Sequence, residues 1–194
     1  MRAFVRTNGV FYRKFSHQQL DSYLAEFELD ASQKLSSLSY GQKKKFLISF
    51  GLATNARILI LDEPTNGLDI PSKSQFRKIM ASALDEDKLL IVSTHQVRDL
   101  ENLIDVVLIL EKGQIIFNHD IAEISEKLRF EADVRSTAPD LVLYSEDAAG
   151  RRPGMIKNTS GVESRVDLEL LFNGVVKNTA SVEAHLQNQK NYAL

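Results

Sequence analysis

The stretch Ile58-Leu59-Ile60-Leu61-Asp62-Glu63-Pro64-Thr65-Asn66-Gly67-Leu68-Asp69 decides how the chain is read. Its four leading apolar residues, β-branched at 58 and 60, predict a short buried strand of the kind found inside parallel sheets. The run ends at two adjacent carboxylates, and Pro64 stops the strand. In an open α/β sheet, ligands sit at the carboxyl ends of strands, so Asp62 and Glu63 are delivered to the place where chemistry occurs. Taken alone, the same pattern also describes a strand leaving the core for a solvated turn.

Neighbouring segments narrow the choice. Upstream, Leu38-Ser39-Tyr40-Gly41-Gln42 opens a predicted helix; downstream, a second apolar run, Leu89 to Val92, leads into Ser93-Thr94-His95. The order Leu-Ser-x-Gly-Gln, apolar-Asp-Glu-Pro, Gly-Leu-Asp, Ser-Thr-His closely resembles the ATP-binding cassette (ABC) ATPases. There these segments are the signature motif, the Walker B strand, the D-loop and the switch histidine. Each motif alone is short, and the order of all four carries the specificity.

The resemblance spans about residues 10 to 125 and implies an α/β fold, a partial P-loop NTPase of the RecA-like, ABC type. A parallel sheet would be joined by a remnant of the helical subdomain and a small C-terminal extension. The implied domains are 1–130, a partial nucleotide-binding domain (1–55 helical with the signature, 56–130 catalytic core), and 131–194, the extension.

Nucleotide hydrolysis needs a metal against the phosphate charge, a group that orients water, and donors around the transferred phosphoryl. Asp62, at a strand end, suits Mg²⁺, a hard cation that takes oxygen ligands. By resemblance, Glu63 is the general base that positions water and His95 the residue that senses the γ-phosphate. Ser39, Gly41 and Gln42 sit where a helix begins, so a hydroxyl, bare amides and the positive helix end can face an anion. In the family that anion is the nucleotide of the opposite subunit, so ATP and Mg²⁺ are the implied cofactors and a second ABC ATPase subunit an implied partner. Tyr40 stands where the family's commoner motif has glycine. Asp69 resembles the D-loop aspartate that links the two composite sites, and with Pro71 it also reads as a helix cap. Lys43, Lys44 and Lys45 read either as a solvated charged face or as attraction for phosphate or an acidic partner.

One family element is missing from the sequence. No Gly-x-x-x-x-Gly-Lys-Ser/Thr loop, which cradles the β- and γ-phosphates, occurs anywhere in the 194 residues. Aligned on the signature, the Walker A strand, the base-stacking aromatic and the Q-loop glutamine would precede Met1. The expectation is an ATP-binding, ATP-hydrolysing subunit of an ABC transporter, N-terminally truncated and inactive alone. It would dimerise around ATP and act with a transmembrane permease subunit, lying on the inner face of the cell membrane. The alternatives are a non-catalytic partner lending its signature in trans, or a soluble ABC ATPase unconnected with transport.

Composition excludes several other classes. With 24 Lys+Arg against 26 Asp+Glu the chain has no excess of positive charge, so nucleic acid is not an expected ligand. Zero cysteines exclude disulfides and thiolate metal sites, and fit the cytosol.

Apolar spacing predicts helices over 17–29, 42–53, and up to about Leu84, then strand 89–93, a short helix through Val97, Leu100 and Ile104, and a hairpin over 106–117 turning at Glu111-Lys112-Gly113-Gln114. Residues 1–15 read as extended or irregular. Beyond Glu131, Leu141–Tyr144 reads as a strand, Arg151-Arg152-Pro153-Gly154 as a turn-rich break, and 166–172 as a helix stopped by Asn173-Gly174, with a second short helix at 182–186.

Overall fold

Why the first fifteen residues fold is seen in the rings they carry. In the computed structural model, which describes residues 1–85, 87–100 and 103–188, the segment read as irregular forms helix α1, Arg2–Asn8, and a 3-10 turn, Gly9–Phe11. Met1 and Val5, four apart, are buried on one side of α1. Phe4 packs edge-on against Phe46 and Phe50, and Tyr12 and Phe15 also meet the Phe50 ring. Exposed Val10 and Phe11 obscured that helical spacing in the sequence.

Helix α2, His17–Glu26, is capped by Ser16, whose hydroxyl accepts from the Gln19 amide. The Gln19 side chain does not complete a capping box; its Oε1 accepts from Asn55 instead, at 2.6 Å. Helix α2 ends three residues earlier than the apolar spacing implied, and Glu28, in the left-handed region at φ 56°, turns the chain beyond it. Helix α3, Tyr40–Ala53, carries a complete box: the Gln42 amide donates to Ser39 Oγ and the Ser39 amide to Gln42 Oε1. Strand β1, Ile58–Asp62, is followed by helix α4, Ile70–Ala83, and strand β2, Leu89–Ser93. Phe27, Phe46, Phe76, Ile79 and Met80 fill the core among the helices.

The predicted short helix after His95 is a single 3-10 turn, Val97–Asp99; residues 101 and 102 of that reading lie outside the described residues. The chain divides into two units, Met1–Asp99 and Leu100–Leu194.

In the first unit β1 and β2 pair in parallel, as their apolar runs predict. The strand read as buried is not: Leu59 and Leu61 are half-buried on one face of β1, and the alternate residues are exposed. Alternate residues Ile58, Ile60, Leu89 and Ile91 are 40–67% exposed, although parallel strands ordinarily bury both faces. Among the described residues these two strands pair only with each other.

The second unit is antiparallel. Strands β3, Val106–Glu111, and β4, Gln114–Asp120, form the predicted hairpin, and both turn residues, Lys112 and Gly113, have positive φ, as a two-residue type I′ turn requires. Helix α5, Ile121–Lys127, follows; strands β5, Leu128–Glu131, β6, Val142–Ser145, and β7, Gly154–Lys157, make a sheet with β7 in the centre. The boundary read at residue 130 falls inside β5. The Arg-Arg-Pro-Gly break leads straight into the central strand. A side chain at Gly154 would lie 2.8 Å from the Tyr144 carbonyl, so glycine marks close backbone approach rather than a turn.

Asn173-Gly174 likewise does not stop a helix. Helix α6, Leu168–Asn188, runs through it and bends at Asn178. A Cβ on Gly174 would lie 2.6 Å from the Met155 methyl, so the glycine lets α6 cross the sheet closely.

Buried His119 lies between two carboxylates, Nδ1 at 2.8 Å from Glu123 and Nε2 at 3.1 Å from Glu183, and Lys127 also pairs with Glu123 at 2.9 Å. Burial opposes ionisation of Glu123, but the hydrogen bonds and charges of Lys127 and His119 outweigh it and hold the carboxyl down at about 2. A depressed acid contributes stability above its unfolded value and loses it as pH falls.

Two outcomes follow from these packings. Urea midpoints for α6 amide protection should decline as pH falls from 4.5 towards 2, and Glu123→Gln should flatten that slope; an unchanged slope would remove Glu123 as its source. Replacing both Ile60 and Ile91 by Lys should lower self-association in sedimentation velocity without loss of helical circular dichroism, whereas unchanged association would show that this face is not the adhesive one.

Candidate active-site elements at the strand ends

Parallel register sets the site. Ile58 opposes Leu89 and Asp62 opposes Ser93, so both strands end at the same level. The Ser93 hydroxyl donates to Asp62 Oδ1. The Glu63 amide donates to the Ser93 carbonyl at 2.8 Å, which extends the ladder by one bond. Glu63 itself takes φ 46°, an uncommon conformation for a residue with a side chain, and turns the chain towards Pro64.

The Glu63 carboxylate is then filled from the second strand end. Oε1 accepts from the His95 amide at 2.9 Å and lies 2.6 Å from His95 Nδ1, while Oε2 accepts from Thr94 Oγ1 at 3.2 Å. Partial burial pushes the Glu63 carboxyl up, but the His95 ring and amide and the Thr94 hydroxyl outweigh that and hold it below the ordinary glutamate range. Glu63 is therefore an ionised acceptor near neutral pH, the state a base requires. Thr94 is fixed in turn, since its hydroxyl also accepts from the Gln96 amide, and Gln96 Oε1 accepts from Lys73 of α4 at 2.7 Å.

Structure thus brings Asp62, Glu63 and His95 together. Ser39 and Gln42 stand at the N-terminus of α3, where they bond each other. Gly41 lies near the turn that follows β1, and its absent side chain would meet the Gly67 carbonyl at 3.4 Å. Asp69 caps α4, accepting from the Ser72 amide at 2.9 Å. Those bonds with Ser72 hold its carboxyl below the ordinary aspartate range.

The three lysines are not a uniform solvated face. Lys43 is exposed. Lys45 turns back towards the Phe27 ring, 5.5 Å from its centroid. Lys44 donates to the carbonyls of Glu63 and, at 2.8 Å, Asn66. The sequence reading names Lys44 but not its bonds to the turn, where the signal lay in its spacing of four from Tyr40 on the same helix face.

As a cofactor set these residues are a fraction of a site. Asp62, exposed and paired with a hydroxyl, offers hard oxygen ligands of the kind Mg²⁺ accepts. Among the described residues no group of three or more His, Cys, Asp or Glu side chains is placed to hold a metal. The α3 N-terminus offers an anion the amides and hydroxyl already described.

Comparisons with known proteins bear on the family and the fold. The ABC transporter family model matches residues 2–66. The energy-coupling factor transporter ATP-binding protein EcfA2 of Mycoplasmoides gallisepticum is 32% identical over 161 residues, 80% of this chain and 50% of that protein. An uncharacterized ABC transporter ATP-binding protein of Methanocaldococcus jannaschii is 37% identical over 97 residues, 50% of this chain and 37% of its own length. A solved structure of the ATP-binding subunit of an ABC transporter superposes with a TM-score of 0.53 at 24% identity, covering 63% of this chain and 52% of that one, which bears on the fold alone. The chain spans half or less of the length of these two curated relatives. Over part of its length the chain thus matches the ATP-binding domain of the ABC transporter family.

Proposed function

We propose that the chain contributes the signature and the catalytic strand ends to an ATP-hydrolysing subunit of an ABC transporter. The observation that carries this reading is the meeting of Asp62, Glu63 and His95 where β1 and β2 end. In this reading Asp62 holds Mg²⁺, which would supply charge neutralisation at the phosphates. Ionised Glu63 accepts a proton from, and orients, the attacking water, and His95 holds the Glu63 carboxylate in place. Ser39, Gly41 and Gln42, at the positive end of α3, face the γ-phosphate of an ATP bound by a second subunit. Asp69, next to the turn, links the two sites of such a pair.

The sequence has no phosphate-binding loop, so its donors to the β- and γ-phosphates belong to polypeptide outside these 194 residues. Among the described residues no helix is long and apolar enough to cross a membrane. In this reading the membrane path is supplied by a separate permease subunit. In that assembly the chain lies against the inner face of the membrane through its partners. Residues 131–194 are the C-terminal extension of the domain.

The experiment joins the phosphate-loop half of the Mycoplasmoides relative to this chain and measures MgATP turnover. Glu63→Gln should lower kcat by about 10²–10⁴-fold while ATP-dependent dimers persist. Retained turnover in that variant would remove Glu63 from the role of base.

A further inference from the structure

The signature end of α3 and the turn carrying Glu63 are joined by contacts that neither motif accounts for. Tyr40, at the start of α3, lies against Gly67, where an added Cβ would sit 3.2 Å from the Tyr40 ring. Gly67 takes φ 78°, so a side chain there would be strained as well as crowded. Gly41 approaches the Gly67 carbonyl. One helical turn on, the Lys44 ammonium donates to the carbonyls of Glu63 and Asn66 and stands 5.8 Å from the centre of the Tyr40 ring.

From these contacts we infer that Lys44 is a positioning residue that ties the signature turn to the catalytic turn within one chain. A displacement of Ser39 and Gly41 is passed along the helix to the Glu63 carbonyl.

The physical case rests on what holds Glu63. Its positive φ has to be maintained by its surroundings. Its amide is held by Ser93, and its carboxylate by Thr94 and His95, all from β2 and the residues after it. The carbonyl is held differently: it accepts from the Asn66 amide within the turn and from Lys44, the connection to α3. A charged donor to two carbonyls of one turn is stronger than a neutral one and resists the turn's opening. A 14-residue helix capped at Ser39 moves as a unit, so Lys44 cannot stay while Ser39 shifts. Partial burial pushes the Lys44 ammonium below the ordinary lysine range, against the pull of Glu63 and Asp62, as expected of a cation held among protein groups rather than in water.

This inference rests on the proposed function only for the roles of Ser39 and Glu63; the contacts and their test involve no nucleotide. Amide hydrogen exchange on the full chain reads the tie directly, through the protected amides of Glu63, Asn66 and Leu68. Lys44→Met should speed exchange at these three by about tenfold or more while the amides of Ile48–Ala53 keep their rates, and Lys44→Arg should restore slow exchange. Lys43→Met, from the exposed neighbour, should change nothing. If Lys44→Met does not fold, Lys44→Gln makes the same measurement. Unchanged exchange at Glu63, Asn66 and Leu68, acceleration spread evenly over α3 and the turn, or no restoration by Arg would each overturn the inference. A failure of MgATP turnover with these exchange results intact would count against the proposed function alone.

Discussion

Parallel pairing of β1 with β2 in a single register is the constraint on which the site depends. Asp62 beside Ser93 puts the next residue, Glu63, beside Thr94 and His95, and the Glu63 amide closes the ladder onto Ser93. A slip of one residue would turn Ile58 and Ile60 to the other face and carry the carboxylates away from His95. The bonds to the carboxylate do more than fix a geometry, since they hold the Glu63 carboxyl below the ordinary glutamate range against the upward push of partial burial. One backbone pairing therefore sets position and acidity together.

The same pairing leaves a debt in the first unit. Two parallel strands do not make a sheet that is stable by itself, and Ile58, Ile60, Leu89 and Ile91 remain in water on one face. The helices compensate on the other side, where Phe27, Phe46 and Phe76 are almost completely buried. In the second unit the arrangement is antiparallel, with α6 crossing β7 at Gly174 and a network of His119, Glu123, Lys127 and Glu183 tying α5 to α6, while Val106, Leu108, Leu110 and Ile115 of the hairpin are exposed as well. The two units thus differ in strand direction: the first carries the motifs on a parallel pair, and the second is antiparallel and carries none of them.

How much of this was legible follows from which forces are local. Strands 58–62 and 89–93, helix α3 and the hairpin at Lys112-Gly113 are readable because apolar runs, a cap and a turn pair sit next to one another in sequence. Helix α1 was missed because its burial comes from Phe46 and Phe50, more than forty residues away. Strand β7 and the length of α6 were missed because Gly154 and Gly174 look like breaks, whereas both allow close approach to a neighbour that only the fold reveals. At the site, order of motifs brought out Asp62, Glu63 and His95. The bonds of Lys44 to the turn stayed hidden because their acceptors are backbone carbonyls, which leave no mark on a sequence.

The most direct test of the central claim is association of this chain with an ABC subunit that bears a phosphate-binding loop, followed by sedimentation velocity with and without MgATP. Ser39→Glu keeps an acceptor at the helix cap and adds a favourable charge for the helix dipole, yet sets a carboxylate against phosphate. The account predicts a complex with the wild-type chain that forms only with MgATP and is lost with Ser39→Glu. A complex indifferent to MgATP, or one that survives Ser39→Glu unchanged, would contradict it.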